Sequence, residues 1–205
     1  MNNSLKEYLN FANKLADAAG NTSMEYFRTF LSIDNKSDES PVTIADKNTE
    51  LKIRSMIEKE YPDHGILGEE FDSLNSDAEF IWVIDPIDGT RSYIAGHKDF
   101  GNLISLTQNK KPIIGIINCP AHNERWVGVQ NLNSTINEKP AKSSNVTNIE
   151  NAYLFTSGLY FDEPHLRSAV EKINNKVRYF RYGGDCYMYG MLASGLIDIV
   201  IEDTL

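Results

Sequence analysis

Cysteine and positive charge are both scarce in this sequence of 205 residues. Its two cysteines, Cys119 and Cys186, are too few for a disulfide framework, and their apolar neighbours predict buried thiols in a reducing compartment. The 29 acidic residues outnumber the 20 lysines and arginines, so the net charge is −9. This acidity argues against nucleic acid or an anionic membrane as the main partner.

Long apolar runs are missing as well. No stretch is long enough to span a bilayer, and the polar first residues are not followed by the apolar segment of a signal peptide. The hydrophobic fraction of 41% is nevertheless that of an ordinary globular protein with a substantial core. From these features we expect a cytoplasmic protein without a membrane partner.

The most informative stretch begins as an apolar strand and stops at an acid. Residues 80–84 predict a short buried strand, and Pro86 should end it because proline cannot donate to a sheet ladder. Asp85 and Asp88 then follow at the end of the strand, where their carboxylates can converge on one small volume. Unpaired carboxylates would repel each other, so this arrangement indicates a bound cation.

Residues around this stretch favour a combined metal and phosphate site. Glu69 also follows a predicted strand, and an all-oxygen set of carboxylates suits Mg²⁺ better than zinc. Gly89 allows tight backbone geometry, and Thr90 can cap the next helix, whose first N–H groups suit an anion. Cations bridged by Asp85 beside an anion cradle are typical of phosphoryl transfer to water. Taken alone, the motif has an alternative explanation, an Asp-Pro turn followed by a helix cap.

The order of the predicted elements indicates an α/β protein with two lobes. The first lobe, residues 1–140, is α+β and contains the residues of the metal and phosphate site. The second lobe, residues 141–205, alternates strands with helices, which suggests α/β layering. The polar segment 139–150 marks the boundary between the lobes.

Several motifs, in family order over nearly the whole chain, resemble those of the inositol monophosphatase superfamily of Mg²⁺-dependent, lithium-sensitive phosphomonoesterases. They are Ser40-Pro41-Val42-Thr43 with Asp46, Glu69-Glu70, Asp85-Pro86-Ile87-Asp88-Gly89-Thr90 and Gly183-Gly184-Asp185. The resemblance implies a layered α/β/α/β/α sandwich of the inositol monophosphatase and sugar phosphatase type. Family members continue past the strand that holds Glu202 to a further metal-binding Asp, so it also implies that the last part of the C-terminal lobe is missing.

Other segments resemble the histidinol-phosphate phosphatase branch of the superfamily. They are Arg91-Ser92-Tyr93, Phe100-Gly101-Asn102-Leu103-Ile104, Glu124-Arg125-Trp126-Val127-Gly128 and Gly183-Gly184-Asp185-Cys186-Tyr187. The resemblance therefore implies hydrolysis of L-histidinol phosphate in histidine biosynthesis, by a homodimer that binds two or three Mg²⁺ ions. Inositol monophosphate is the alternative substrate. A catalytically impaired chain that acts only as a binding or dimerisation module is a further alternative.

The resemblance also assigns roles to individual residues. The first Mg²⁺ would be held by Glu69, Asp85 and the main-chain carbonyl of Ile87, and the second by Asp85 and Asp88. The attacking water would be oriented and activated by Asp46, Glu70 and Thr90. The phosphate would be bound by the amides of Gly89 and Thr90, and the alcohol part of the substrate would face Gly184, Asp185 and Glu202. A pair of carboxylates there would suit the ammonium and imidazole groups of histidinol.

Overall fold

The computed structural model describes residues 3–29, 33–35, 41–158 and 164–202. Within these ranges the α-helices are α1 (Asn3–Tyr26), α2 (Ile44–Glu60), α3 (Thr90–Ile94), α4 (Pro164–Asn174) and α5 (Asp185–Ala193). The strands are β1 (Ile33–Asn35), β2 (Pro41–Thr43), β3 (Gly65–Leu67), β4 (Phe80–Asp88), β5 (Gly101–Gln108), β6 (Lys111–Cys119), β7 (Glu124–Val129), β8 (Thr135–Ile136), β9 (Lys139–Pro140), β10 (Tyr153–Thr156), β11 (Tyr179–Tyr182) and β12 (Ile199–Val200). Short 3₁₀ helices span Pro120–His122 and Ile149–Asn151.

The strands form two principal sheets. Seven of them lie in chain order from β3 to β9, with β3 parallel to β4 and every later neighbour antiparallel. A parallel sheet of three strands has the order β11–β10–β12, and β1 pairs with β2 separately. The large sheet ends at Pro140 and the small one begins at Tyr153, while the predicted boundary between two lobes stays a prediction.

The main core lies between the large sheet and the helices α1 and α2. Both helices present apolar side chains at helical spacing to the sheet, which buries them. Among the core residues that are at most 1% exposed are Ala12, Leu15, Ala16, Ala19, Ile53, Ile57, Trp82, Ile104 and Leu106. Residues of both helices thus contribute to one core with the large sheet.

Helix α5 packs on the sheet strands from the second half of the chain. A Cβ atom built on Gly190 would lie 2.6 Å from the ring of Trp126, so the helix backbone rests directly on the indole. The indole Nε1–H donates to Ser194 Oγ over 2.7 Å, just beyond the helix. Cys119 and Cys186 are buried and unpaired in the same cluster, as predicted for two thiols. This packing brings the start of α5 to the end of β4.

Strand β4 runs four residues further than the sequence predicts. The expectation that Pro86 ends the strand is wrong, because β4 continues to Asp88. Its register against β5 shifts between Asp85 and Asp88, so Pro86 falls in a β-bulge where a missing N–H costs no ladder bond.

The alternation of strands and helices predicted for residues 141–205 agrees with the structure. The polar residues 108–111 connect β5 to β6 as a hairpin, and β10, α4, β11 and α5 follow one another as alternating strands and helices. The fold is a mixed α/β arrangement of layers, as predicted. No helix in the described part of the chain is long and apolar enough to cross a membrane.

An aromatic cluster at the edge of the core contains a histidine that must be neutral. The ring of His64 stacks on Tyr61 and Phe80 at centroid distances of 4.6 and 5.1 Å, and its Nδ1 accepts a hydrogen bond from the indole Nε1 of Trp82 over 3.1 Å. Desolvation by burial lowers the pKa of His64 from its ordinary value of 6.5. Because the proton is bound more weakly in the folded state, the stabilisation is present at neutral pH and is lost as the pH falls.

We therefore expect acidification to destabilise the protein through His64. Protonation of Nδ1 removes an acceptor, and the lost hydrogen bond is worth about 1 kcal/mol. Urea unfolding of the parent and of His64→Gln, each at neutral and mildly acidic pH, measures the effect, and the variant should show a smaller loss on acidification. His97→Gln, which replaces an exposed imidazole, is the control and should keep the parental pH dependence. Equal pH dependence of parent and His64→Gln would contradict the assignment.

Candidate metal and phosphate site

The bulge in β4 places two of the predicted metal-binding residues next to helix α5. Asp85 and Asp88 flank Pro86 and Ile87, which are both buried. The carboxylate of Asp88 accepts the main-chain N–H of Cys186, the second residue of α5, over 2.6 Å. Burial raises the pKa of Asp88, and this hydrogen bond opposes the rise.

Asp85 has the most strongly perturbed environment of the predicted ligands. Its Oδ1 atom is buried and has no hydrogen-bond partner among the described residues. Burial, reinforced by the charges of Asp88, Glu69 and Asp46, raises the pKa of Asp85 to about 8. An acceptor oxygen that is shielded from water and surrounded by like charge is suited to a cation.

The segment of Glu69 and Glu70 is held by a residue that the sequence analysis missed. Glu50 is fully buried in α2, and its Oε2 accepts the main-chain N–H groups of Glu69 and Glu70 over 3.0 and 2.7 Å. Its other oxygen, Oε1, pairs with Arg54 Nε at 2.7 Å. A Cβ atom on Gly68 would lie 2.0 Å from Glu50 Oε1, so a glycine is required for this close approach.

Asp46 lies one helical turn before Glu50, on the same face of α2. It is buried in the first turn of the helix, and its charge contributes to the raised pKa of Asp85. Ile53 and Ile57 continue this face into the core. Acidic residues at core-facing positions of a helix were therefore a signal in the sequence that could have identified Glu50.

The predicted phosphate-binding turn is present, but its capping arrangement differs from the expectation. Gly89, not Thr90, is the N-cap of α3, and its φ of 80° lies in the left-handed region that glycine adopts without strain. Thr90 is the first residue of the helix, and its hydroxyl donates to the main-chain carbonyl of Ile87 over 3.0 Å. The prediction of a threonine side-chain cap is therefore wrong, because the hydroxyl is used within the turn. The carbonyl oxygen of Ile87 has a second lone pair, which is available to a further partner.

Asp185 lies directly against this turn. A Cβ atom on Gly89 would be 2.9 Å from Asp185 Cγ, and the carboxylate accepts a hydrogen bond from Ser92 Oγ over 2.6 Å. Three successive residues, Gly183, Gly184 and Asp185, have positive φ values of 88°, 126° and 41°. The chain thus makes a tight turn with positive φ values that places Asp185 beside Gly89.

Glu202 follows β12 and is held by Ser157 after β10. Its carboxylate accepts the main-chain N–H of Ser157 over 2.7 Å and also the hydroxyl of the same residue. The charge of Glu202 contributes to the raised pKa of both Asp88 and Asp185. All the predicted site residues are therefore described, while Ser40 of the upstream motif lies outside the described residues.

These residues fit Mg²⁺ without forming a closed cage. Among the residues that the structure describes, no three His, Cys, Asp or Glu side chains are gathered so as to enclose a metal ion. Mg²⁺ does not need such a cage, because it retains several waters and is commonly bound by one or two carboxylates together with substrate phosphate. The buried, unpartnered oxygen of Asp85 and the purely oxygen donor set agree with this mode of binding.

Asp85→Asn should stabilise the metal-free protein and abolish its response to Mg²⁺. Ionisation of a carboxyl whose pKa is raised on folding costs stability increasingly as the pH rises towards that pKa. In EDTA at about pH 8, the free energy of unfolding should therefore increase by on the order of 1 kcal/mol. Asp77→Asn removes one exposed charge as a control and should behave like the parent.

Thermal unfolding with EDTA and with millimolar Mg²⁺ measures both effects. The parent and Asp77→Asn should unfold at a higher temperature with Mg²⁺, and Asp85→Asn should not respond to the ion. A full Mg²⁺ response of Asp85→Asn would contradict the proposed role of Asp85.

Comparison with known proteins agrees with the geometry of this site. The chain is 39% identical over 203 residues to the chloroplastic bifunctional phosphatase IMPL2 of Arabidopsis thaliana, covering 98% of this chain but only 59% of that protein. It is 35% identical to a histidinol-phosphatase of Chlorobaculum parvum, covering 95% of this chain and 76% of the relative. A solved inositol monophosphatase of Zymomonas mobilis is 40% identical and superimposes with a TM-score of 0.87, covering 100% of this chain and 79% of that one.

The close superposition confirms the predicted layered fold. A family model described as the inositol monophosphatase family matches residues 4–205. The chain therefore belongs to the inositol monophosphatase family.

Proposed function

We propose that this chain is a Mg²⁺-dependent phosphomonoesterase whose substrate is L-histidinol phosphate. The observation that carries the proposal is Asp85 Oδ1, which is buried without a partner among the described residues, on a carboxyl whose pKa is raised by burial and by the charges of acids on β4, α2 and the segment after β3. A phosphate monoester is an anion, and a cluster of carboxylates would repel it. Divalent cations reverse the sign of the local field and make the site suitable for such a substrate.

In the proposed site, one ion would be held by Glu69, Asp85 and the carbonyl of Ile87, and a second by Asp85 and Asp88. Bound Mg²⁺ would polarise the phosphate, lower the pKa of a coordinated water and stabilise the leaving oxygen. A third ion, implied by the family resemblance, belongs to the same proposal. The ordinary phosphatase chemistry of the family requires no other cofactor.

The chain's own groups orient the water and the phosphate. The Thr90 hydroxyl donates its hydrogen bond to the carbonyl of Ile87 over 3.0 Å. Its oxygen lone pairs are therefore available to accept a hydrogen bond from the attacking water. Asp46 and Glu70 complete the set that takes up the proton of that water. Glu70 is anchored through its main-chain N–H to Glu50. The amides of Gly89 and Thr90 bind the phosphate oxygens.

The proposal assigns substrate preference to the carboxylates of Asp185 and Glu202, which would face the alcohol part of the substrate. Burial and the nearby charges of Asp99 and Glu202 raise the pKa of Asp185, while a hydrogen bond from Ser92 opposes the rise. A cationic ammonium or imidazolium group would relieve the repulsion between Asp185 and Glu202. Gly184, immediately before Asp185, adopts a φ of 126° that favours glycine, and the proposal places it beside this part of the substrate. The histidinol-phosphatase of C. parvum supports the same choice by its name.

Inositol monophosphate is the second candidate substrate, favoured by the 40% identical solved structure of an inositol monophosphatase. Its ring carries no positive charge and would leave the two acids unneutralised. A catalytically impaired chain that binds without turnover is the third candidate. The proposal also includes a homodimer and a role in histidine biosynthesis, which the family resemblance implies, and a cytoplasmic location, which the sequence composition favours.

The experiment that tests the activity measures phosphate release from three substrates, with Mg²⁺ and with EDTA. We expect Mg²⁺-dependent phosphate release that is fastest with L-histidinol phosphate and slower with both inositol 1-phosphate and an aryl phosphate. Faster turnover of inositol 1-phosphate would favour the second candidate. Binding of Mg²⁺ and substrate with no phosphate release would favour the third.

Asp185→Asn should separate substrate recognition from catalysis. Asparagine tolerates the φ of 41° at this position and can still accept the hydrogen bond from Ser92, so only the charge is removed. Loss of a charge-assisted contact should lower kcat/KM for histidinol phosphate about tenfold, corresponding to roughly 1.4 kcal/mol. With an aryl phosphate, the matched control substrate, the change should be small. Equal losses with both substrates would remove Asp185 from the recognition site.

A further inference from the structure

The bulge in β4 determines which way Asp85 and Asp88 face. In a regular strand, residues separated by three positions point to opposite faces of the sheet. Here Asp85 is opposite Leu103 and Asp88 is opposite Gly101, so two residues of β4 stand against the single residue Asn102. The extra residue shifts the alternation by one, and the burial pattern changes accordingly, with two buried residues between the two acids.

The carbonyl exposed by this bulge is satisfied by Asn102 itself. Asn102 is fully buried, and its Nδ2 donates to the main-chain carbonyl of Pro86 over 2.7 Å. The same nitrogen donates to Ser23 Oγ over 3.3 Å. Without this donor the Pro86 carbonyl would be a buried acceptor left unpaired, which would destabilise the bulge. The side chain of Asn102 therefore stabilises the bulge in the form that carries the two acids.

An amide side chain can serve this purpose only if its nitrogen faces the carbonyl. The Oδ1 of Asn102 accepts from Asn118 Nδ2 over 2.9 Å, and that nitrogen also donates to the carbonyl of Ala16 over 3.1 Å. The Oδ1 of Asn118 in turn accepts from Arg125 Nε over 2.9 Å. Since a guanidinium only donates and a main-chain carbonyl only accepts, Arg125 and the Ala16 carbonyl together fix the orientation of Asn118 and, through it, that of Asn102.

We propose that Arg125, Asn118 and Asn102, here called the donor relay, are positioning residues for the Mg²⁺ site. The inference rests on the proposed function, because it assigns the relay's effect to the ions held by Asp85 and Asp88. The relay sets the direction of every hydrogen bond from Arg125 to the Pro86 carbonyl, and thereby keeps the bulge in its metal-binding form. None of its members touches the reacting groups.

The outer end of the relay lies at the surface, which makes it accessible to mutation without disrupting the core. Arg125 lines a groove of about 1130 Å³ between α1 and the strands β6 and β7. There its guanidinium also pairs with Asp17 at 2.6 Å and donates to Asn13 Oδ1 over 3.2 Å. The surface pair with Asp17 contributes little to stability because it is exposed to solvent. Changes at these two positions therefore separate the relay from the ion pair.

Variants at the surface end test the donor relay. Arg125→Met removes the donor to Asn118 Oδ1 and leaves that buried acceptor unpaired, so only the Ala16 carbonyl still orients the two amides and the support of the Pro86 carbonyl is weakened. Arg125→Lys supplies another group that only donates and should restore the orientation. Asp17→Asn keeps the bond from Arg125 to Asn118 and is the matched control.

The primary measurement is calorimetric titration of the full chain with Mg²⁺ alone, together with thermal unfolding in EDTA. Substitutions that misorient the support of metal ligands typically weaken metal binding 10- to 100-fold. We expect Arg125→Met to bind Mg²⁺ at least about tenfold more weakly than the parent. Arg125→Lys and Asp17→Asn should bind Mg²⁺ with an affinity within about threefold of the parent's, well short of a tenfold loss. In EDTA, Arg125→Lys and Asp17→Asn should unfold at the parental temperature, and Arg125→Met should unfold below it because a buried acceptor is left unpaired. Parental Mg²⁺ affinity in Arg125→Met, or equal weakening in Arg125→Lys, overturns the proposal.

A second measurement distinguishes failure of the relay from failure of the proposed function. If the parent neither binds Mg²⁺ nor releases phosphate, the proposed function is wrong. The relay is then decided in EDTA from the side-chain amide NMR signals of Asn102 and Asn118. Signals shared by the parent and Arg125→Lys but displaced or doubled in Arg125→Met support it. Identical signals in all three proteins overturn it.

Discussion

Crowding of negative charge in a region with little water is the constraint on which this structure depends. Burial raises the pKa of Asp85, Asp88 and Asp185, and each carboxylate adds to the penalty of its neighbours. Left to themselves, such groups would separate or take up protons. The surrounding structure prevents separation by tying each segment to a fixed donor, including the amide of Cys186 for Asp88 and the hydroxyl of Ser92 for Asp185.

The segments that carry the acids are held from several directions. Helix α2 supplies Glu50, whose charge is balanced by Arg54 and whose second oxygen fixes the main chain at Glu69 and Glu70. Strand β5 supplies Asn102 for the bulge. Because these supports come from distant parts of the sequence, the acids are brought together only when the whole fold has formed. A preorganised cluster of this kind attracts cations without rearrangement at the moment of binding.

The sequence predicted most of the elements because their boundaries are marked locally. Turn residues and apolar periodicity located the strands and helices, and the family motifs located the acids. The errors arose where a distant side chain decides the local structure. Pro86 reads as a strand end from its neighbours alone, and only Asn102, sixteen positions later, makes the bulge favourable. Glu50 was missed for the same reason, since its role depends on main-chain groups of another segment.

The contact of Gly190 with Trp126 determines how closely helix α5 packs on the large sheet. The glycine lies five residues after Asp185, about 7.5 Å along the helix axis, and its backbone rests on the indole face. The separation between helix and sheet is therefore set by the thickness of an aromatic ring rather than by adjustable side chains. A side-chain atom added at Gly190 would displace the helix from the sheet. The displacement would include the main-chain N–H of Cys186, the second residue of the helix, which donates to Asp88. The position of Asp185 on α5 relative to Asp88 on β4 therefore depends on the contact between Gly190 and Trp126, which has no chemical role in the site.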